Sequence, residues 1–320
     1  MTTSVPTRGS VGVLLVGVLS AVAFAASGPF VKPLLLSGWS SAAAVMVRVG
    51  IGGLLLTPLA LIALRGRFAA LGRSWRRITL YGLIAVAGTQ FCYFAAVQRL
   101  PVGVALLTEY LAPVLLVGLA WARGRRPSLV VAAGAVLSVL GLLLVLDLTG
   151  GVRLDLIGVL WGLGAAVGLC GYFLISAAPA DGLPPVALAA GGLLVGSLAL
   201  ALTGVVGLLP LEVSWAPVAL FGGTVPWWVP MGVVAVIATA VAYVTGIVAA
   251  AGLGSRVASF LGLLEVLASV AIAWLLLGEV PTWLQAAGAV LVLTGVALVR
   301  ADRAGREQIV EIVPPVTARS

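Results

Sequence analysis

Three ionisable side chains lie inside long apolar runs of this chain: Arg48, Glu109 and Glu265. A charged group in a bilayer interior is costly, so such residues face a cavity or a partner and mark solute or proton paths. Arg48 and Glu109 each stand about seven residues from the end of their run, and Gln90 about eight from the end of its own. At ~1.5 Å of helix rise per residue, all three fall ~11 Å below the same membrane face. They are predicted to form one polar layer, with Arg48 and Glu109 as an ion pair. Two uses of Arg48 stay open. It is a gate or anchor for a charged solute group, or half of a permanent pair joining two helices, since an always-protonated guanidinium needs a standing partner.

Glu109 precedes Pro113 by four residues, and proline has no N–H to offer the carbonyl of residue 109. A kink at Pro113 with a free acceptor beside the carboxylate follows, a setting found where helices line cavities. Burial and the Arg48 guanidinium act on the protonation of Glu109 in opposite senses. Whether it exchanges a proton or stays in a static pair is therefore open. Glu265 lies nearer the midplane, about seven residues from the other face, with no evident basic partner. The chain has no histidine, so Glu109 and Glu265 are the in-span carboxylates able to carry a coupling proton. A neutral acid bonded to a neighbouring helix is the other reading of Glu265. Tyr93, Tyr110, Trp161, Tyr172 and Tyr243 complete the candidate pathway, each with helix packing as its alternative.

What is missing excludes much chemistry. Without histidine there is no His-based metal site, triad or proton relay, and no metal or cofactor is expected. Cys92 and Cys170 are too few for a disulfide framework. The single lysine, Lys32, lies in no phosphate-binding glycine loop, so ATP hydrolysis is not expected. Asp147, Asp155 and Asp181 fall in loops or at span ends, which removes an aspartyl dyad.

The elements that hold these residues follow from composition. The chain has 320 residues, 62% hydrophobic and 9% charged. Soluble domains are about 45–50% apolar and about 25% charged, so this is an integral membrane protein. Ten apolar runs are long enough to cross a bilayer as helices. They are Val11–Phe30, Ser41–Leu64, Ile78–Gln98, Val102–Ala122, Leu129–Leu146, Leu156–Ala177, Pro185–Leu209, Pro226–Ala251, Ala258–Leu277 and Trp283–Val299. The predicted fold is all-α, with ten transmembrane helices.

Charge sets the orientation. With the N-terminus inside, cytoplasmic segments hold 14 of the 18 basic residues, and external loops hold Lys32, Arg99 and Arg153. The positive-inside rule then places both termini in the cytoplasm, and an even span count agrees. The net charge of +8 thus encodes orientation and not nucleic-acid binding. Residues 1–10 form a cytoplasmic N-terminus, and 301–320 a disordered cytoplasmic tail. Trp39, Trp75, Trp121, Trp215, Trp227, Trp228 and Trp283 stand near span ends, as interfacial anchors do.

The word Ala-Ala-Gly-Ala-Val-Leu occurs at 132–137 and again at 286–291, after similar apolar spans. Tyr93 and Tyr243 hold similar places in the third and eighth spans. The chain therefore divides into 11–146 and 156–300, five spans each. Five is odd, so the second half enters the membrane from the opposite side. The basic link Arg123–Arg126 and its base-free counterpart Gly278–Pro281 agree with that inversion. Inverted repeats recur in secondary transporters, with the solute site between them near the midplane.

The stretch Ala273-Trp-Leu-Leu-Leu-Gly-Glu279, followed by Gln285 to Val296, resembles the ending of the EamA-type branch of the drug/metabolite transporter superfamily. Arg48 matches a frequent arginine of that family, and Pro113 its fourth-span proline. The first half departs from the pattern, with Gly124-Arg125-Arg126 where Gly-Glu is usual. The second has Val266 after Glu265 where Glu-Pro is common. The resemblance covers about residues 11–300. It implies a transporter of small metabolites or drugs with a central cavity, two EamA-like repeats and no enzymatic activity. Export of an amino acid, aromatic metabolite or drug-like solute is the family expectation.

The expected partners are a small-molecule substrate, the lipid bilayer and, if flux is coupled, protons; the chain works as a monomer or homodimer. Seventeen arginines against one lysine suggest a GC-rich bacterial genome, hence the inner membrane. A lipid-modifying membrane enzyme and a non-transporting structural or regulatory protein are the competing functions.

Overall fold

The computed structural model describes residues 8–124, 126–146, 155–177 and 182–301, with side chains described from residue 12 onward except at 177 and 254–260. The segment before residue 8, the link 147–154 between the halves and the tail 302–320, with the disorder expected of it, lie outside the described residues.

Among the described residues, eight helices are long and apolar enough to cross a membrane, and two shorter apolar helices, Leu129–Val145 and Leu261–Leu277, make about ten. Local chemistry starts and stops them. The Ser40 hydroxyl accepts from the Ala43 N–H at 3.2 Å and opens the second span, Ser41–Ala63. Ser128 does the same for Val131 at 3.2 Å at the head of Leu129–Val145. Asp155 accepts from the Gly158 N–H at 2.8 Å and caps Leu156–Ala177. An oxygen acceptor at this position satisfies one of the orphan donors of a helix start. Gly278, at φ 69°, closes the ninth span in the left-handed conformation that glycine adopts without penalty.

Several spans are not plain α-helices. The first is two helices, Arg8–Ala25 and Ser27–Leu36. It runs past Phe30, so Lys32 sits on a helix and not in the external loop expected of it. The third starts at Trp75 and contains a π-helix, Tyr81–Gly88; the eighth contains another, Val233–Val241. A hydroxyl bonds back into each π-helix: Thr89, just after the first, donates to the Ile84 carbonyl, and Thr239, within the second, to the Val234 carbonyl, both at 2.8 Å. The fourth span breaks between Val102–Glu109 and Ala112–Ala122, at Tyr110 and Leu111, just ahead of Pro113.

The eighth and ninth spans, expected to be separated by a short link, share one helical run, Ala242–Leu277. A straight helix would hold Ala249 and Leu261 ~18 Å apart. Both lie against Gly17, so the run folds back on itself. The seventh span, Pro185–Val205, connects to the eighth through a small antiparallel hairpin, Val218–Leu220 with Gly223–Val225. Its turn residues Phe221 and Gly222 have φ of 55° and 72°, the pair of positive values that a tight two-residue hairpin requires.

Packing follows the inverted repeat. The fifth span lies antiparallel to the tenth, Trp283–Ala301. A Cβ on Gly134 would come within 2.7 Å of the Gly295 carbonyl, and one on Gly141 within 2.7 Å of the Gly288 carbonyl. Small residues let the backbones approach that closely, which is how helices associate in lipid. The second span packs along the seventh, again through glycines: Gly50 faces Ser197 and Gly53 faces Leu194. The first span packs on the eighth and ninth, while the sixth packs on the third and fourth. Each half thus lends one helix to the bundle of the other.

The outward faces are apolar, with Leu15, Leu54, Leu160, Leu198 and Leu275 all exposed, as a lipid-facing surface requires. Trp75, Trp121, Trp215, Trp228 and Trp283 are exposed too. Trp39 differs from the expected interfacial anchor. It is buried, its indole N–H donates to the Ser214 carbonyl at 2.8 Å, and its ring lies 5.6 Å from Trp227.

Candidate functional site

The buried polar centre is built around Arg48, which is only 2% exposed. Its Nη1 donates to the Ser27 hydroxyl and to the Gln90 Oε1, both at 2.7 Å. Its Nε donates to the Thr239 hydroxyl at 2.8 Å, and its Nη2 to the Ala238 carbonyl at 3.1 Å. The Phe94 ring lies 5.3 Å from the guanidinium carbon, close enough for a cation–π contact. Four of the five guanidinium donors are therefore used. The partners come from the first, third and eighth spans, so one side chain ties both halves together.

The π-helices explain why the partners are available. A π turn is wider than an α turn and often occurs at functional sites. In Val233–Val241 it brings the Ala238 carbonyl and the Thr239 hydroxyl to Arg48. Thr239 accepts from Arg48 while donating to Val234, so its hydroxyl has both roles filled.

The expected ion pair between Arg48 and Glu109 is not formed. Among the described residues the ion pairs are Lys32–Glu279 and Arg99–Asp155, and neither includes Arg48 or Glu109. The physical reason is that neutral acceptors satisfy the guanidinium. An amide oxygen, two hydroxyls and a carbonyl give it the partners that a carboxylate would have supplied.

Glu109, 7% exposed, instead ends the half-helix Val102–Glu109 and faces a cavity of about 40 Å³. Arg48, Gln90, Tyr93 and Glu265 line the same cavity, with Phe24, Ser27 and Leu106. About 10–15 Å³ on this measure admits one water, so the space suits a few waters. Sites for drug-sized ligands occupy ~300–1,000 Å³, so this conformation is closed around its centre.

Glu265 has a donor that the sequence did not reveal: the Tyr110 hydroxyl, 2.9 Å from its Oε2. Behind it, the Arg300 guanidinium lies 5.7 Å from the Tyr110 ring. Of the remaining aromatics, Tyr243 packs edge-on against Phe24 at 5.3 Å, next to the cavity. Tyr172 pairs with Tyr81 at 5.9 Å. Trp161 packs against Phe91 at 5.4 Å and is not part of the cavity lining.

Sequence reasoning missed Ser27, Thr239, Phe94 and the Ala238 carbonyl. One signal pointed to Thr239. Thr89 and Thr239 are 150 residues apart, the same spacing as Tyr93 and Tyr243.

Around Lys32, the same reasoning missed an ion pair. Lys32 Nζ donates to Glu279 and, at 2.9 Å, to the Leu100 carbonyl. The other Glu279 oxygen accepts from the Val102 N–H at 2.8 Å. Outside it lies a groove of about 840 Å³, walled by the hairpin and the ends of the first and ninth spans.

Two five-helix halves around a closed polar centre make a multi-pass membrane protein. The profile of the EamA-like transporter family matches residues 11–147 and 156–301, and the chain belongs to that family, whose members are transporters and not enzymes. A crystal structure of another protein is similar in fold. It has a TM-score of 0.56 at 21% identity, over 90% of this chain and 96% of that one. No curated protein matches the chain.

Proposed function

We propose that this EamA-family protein is a secondary transporter that exports a small metabolite or drug-like solute across a bacterial inner membrane. It works by alternating access around the Arg48–Glu109–Glu265 cavity, with both termini cytoplasmic and Glu265 or Glu109 carrying a coupling proton. The observation that carries this reading is the cavity itself. A buried guanidinium, an amide and two carboxylates converge between the inverted halves at a depth where ionisable groups are expensive. The domain limits 11–146 and 156–300 belong to the same reading. So do the roles of Arg48, Gln90, Tyr93, Tyr110, Tyr243 and Glu265 on the pathway.

Glu109 stands at the negative end of the dipole of its half-helix, a position that suits a proton or cation. The N-in orientation rests on the excess of arginine in the links between spans. Counterflow in liposomes loaded with pooled metabolites tests the proposal. Exchange of at least one solute is expected; absence of any exchange, together with lipid turnover, would overturn it.

A further inference from the structure

Lys32, Glu279, Leu100 and Val102 come from three parts of the chain, yet they meet at one point. Lys32 is on the helix Ser27–Leu36, whose first residue bonds Arg48. The step of five positions from Ser27 to Lys32 corresponds to ~7.5 Å of helix. The ion pair therefore stands one short layer from the central cavity, between it and the groove. Both side chains are mostly buried, 15% and 19% exposed, and lie on the floor of that groove beside Leu36, Val218 and Leu277.

Glu279 does more than neutralise Lys32. Its second oxygen holds the first N–H of the half-helix Val102–Glu109, and the last residue of that half-helix is the cavity carboxylate Glu109. A carboxylate suits that end of the helix, where N–H groups lack partners and the dipole is positive. A short rigid rod thus connects the ion pair to the centre. The corresponding place in the first half reads Gly124-Arg125, with an arginine where the second half has Glu279.

We propose that Lys32 and Glu279 are gating residues of transport. Their ion pair latches the Lys32 end shut, and its rupture frees the half-helix Val102–Glu109 to move and joins the groove to the central cavity. This rests on the alternating-access reading above.

Labelling of the cavity tests it without any solute. In a Cys92→Ala/Cys170→Ala background, Leu106→Cys places a thiol in the cavity lining. A membrane-impermeant maleimide is applied from the Lys32 side of reconstituted full-length protein. Glu279→Gln and Lys32→Gln are each expected to raise the labelling rate about tenfold, the factor that corresponds to ~1.4 kcal/mol. Lys32→Gln leaves Glu279 on the Val102 N–H, so it keeps the helix cap and tests the ion pair alone. Unchanged rates in both variants overturn the gate. A rise confined to Glu279→Gln also overturns it, because the cap and not the pair would then hold the end closed. Absent counterflow with labelling still controlled by the pair would instead count against the transport reading.

Discussion

Replacing Arg48 by lysine keeps the charge and removes the planar fork. An ammonium offers three donors from one point, whereas the guanidinium reaches Ser27 and Gln90 from one nitrogen and Thr239 and Ala238 from two others. At least one of the four bonds must be lost, and the geometry favours losing two. Hydrogen bonds between helices in a bilayer average ~0.6 kcal/mol and reach ~1.7 kcal/mol. A buried acceptor left without its donor adds ~1–3 kcal/mol. Arg48→Lys is therefore expected to cost ~1–3 kcal/mol, and Thr239→Val, which removes one Arg48 bond, about half as much. Reversible unfolding of the purified protein in mixed micelles, titrated with SDS, measures both. If Arg48→Lys unfolds within ~0.5 kcal/mol of the parent, Arg48 is not the tie between the halves and the assignment of its partners fails.

Gly141→Ala should separate the fifth and tenth spans, because its Cβ would meet the Gly288 carbonyl at 2.7 Å. Overpacking of this kind costs ~1–3 kcal/mol, while Gly118→Ala, with open space around it, should be neutral in the same melt. Glu265→Gln should leave solute exchange intact and abolish its response to an imposed pH gradient; an unchanged response removes Glu265 from the mechanism. Tyr110→Phe, which takes away the hydroxyl donor of Glu265, should shift the pH profile of that flux, and an unshifted profile would make the contact incidental. Outside the membrane, the Gly158 N–H, helped by Arg99, holds the Asp155 carboxyl below its ordinary 3.8. Its stabilisation is then present above that value and lost as pH falls through the lower folded value. Asp155→Ala should flatten the acid side of the thermal midpoint against pH, and an unaltered acid slope would show that the cap contributes nothing.

The spans and their pairing into halves were legible because lipid leaves hydropathy little freedom. A run such as Ser41–Ala63 can only be a helix, and five spans per half force the inversion. Finer features were hidden for identifiable reasons. The π-helices Tyr81–Gly88 and Val233–Val241 change only the carbonyl that each N–H reaches, which hydropathy does not register. Ala242–Leu277 stays helical through the segment whose composition read as a link, although the chain folds back within it. In the site, charge logic put Arg48, Gln90 and Glu109 in one layer and paired Arg48 with Glu109; the three line one cavity together with Glu265, and no ion pair forms among them. Counting charges ignores that hydroxyls and carbonyls can fill a guanidinium. The same habit passed over Glu279, since an acid in a presumed loop looks solvated until Lys32 is seen beside it.

The central claim is that solute passes through the cavity around Arg48, Glu109 and Glu265. Counterflow in liposomes by a variant that plugs the cavity tests it most directly. Leu106→Trp places an indole in a space of about 40 Å³, whereas Leu119→Trp puts the same group on the exposed outer face. With both proteins folded and equally incorporated, the account predicts that Leu106→Trp loses exchange while Leu119→Trp keeps it. Full exchange by folded Leu106→Trp would show that the path lies elsewhere.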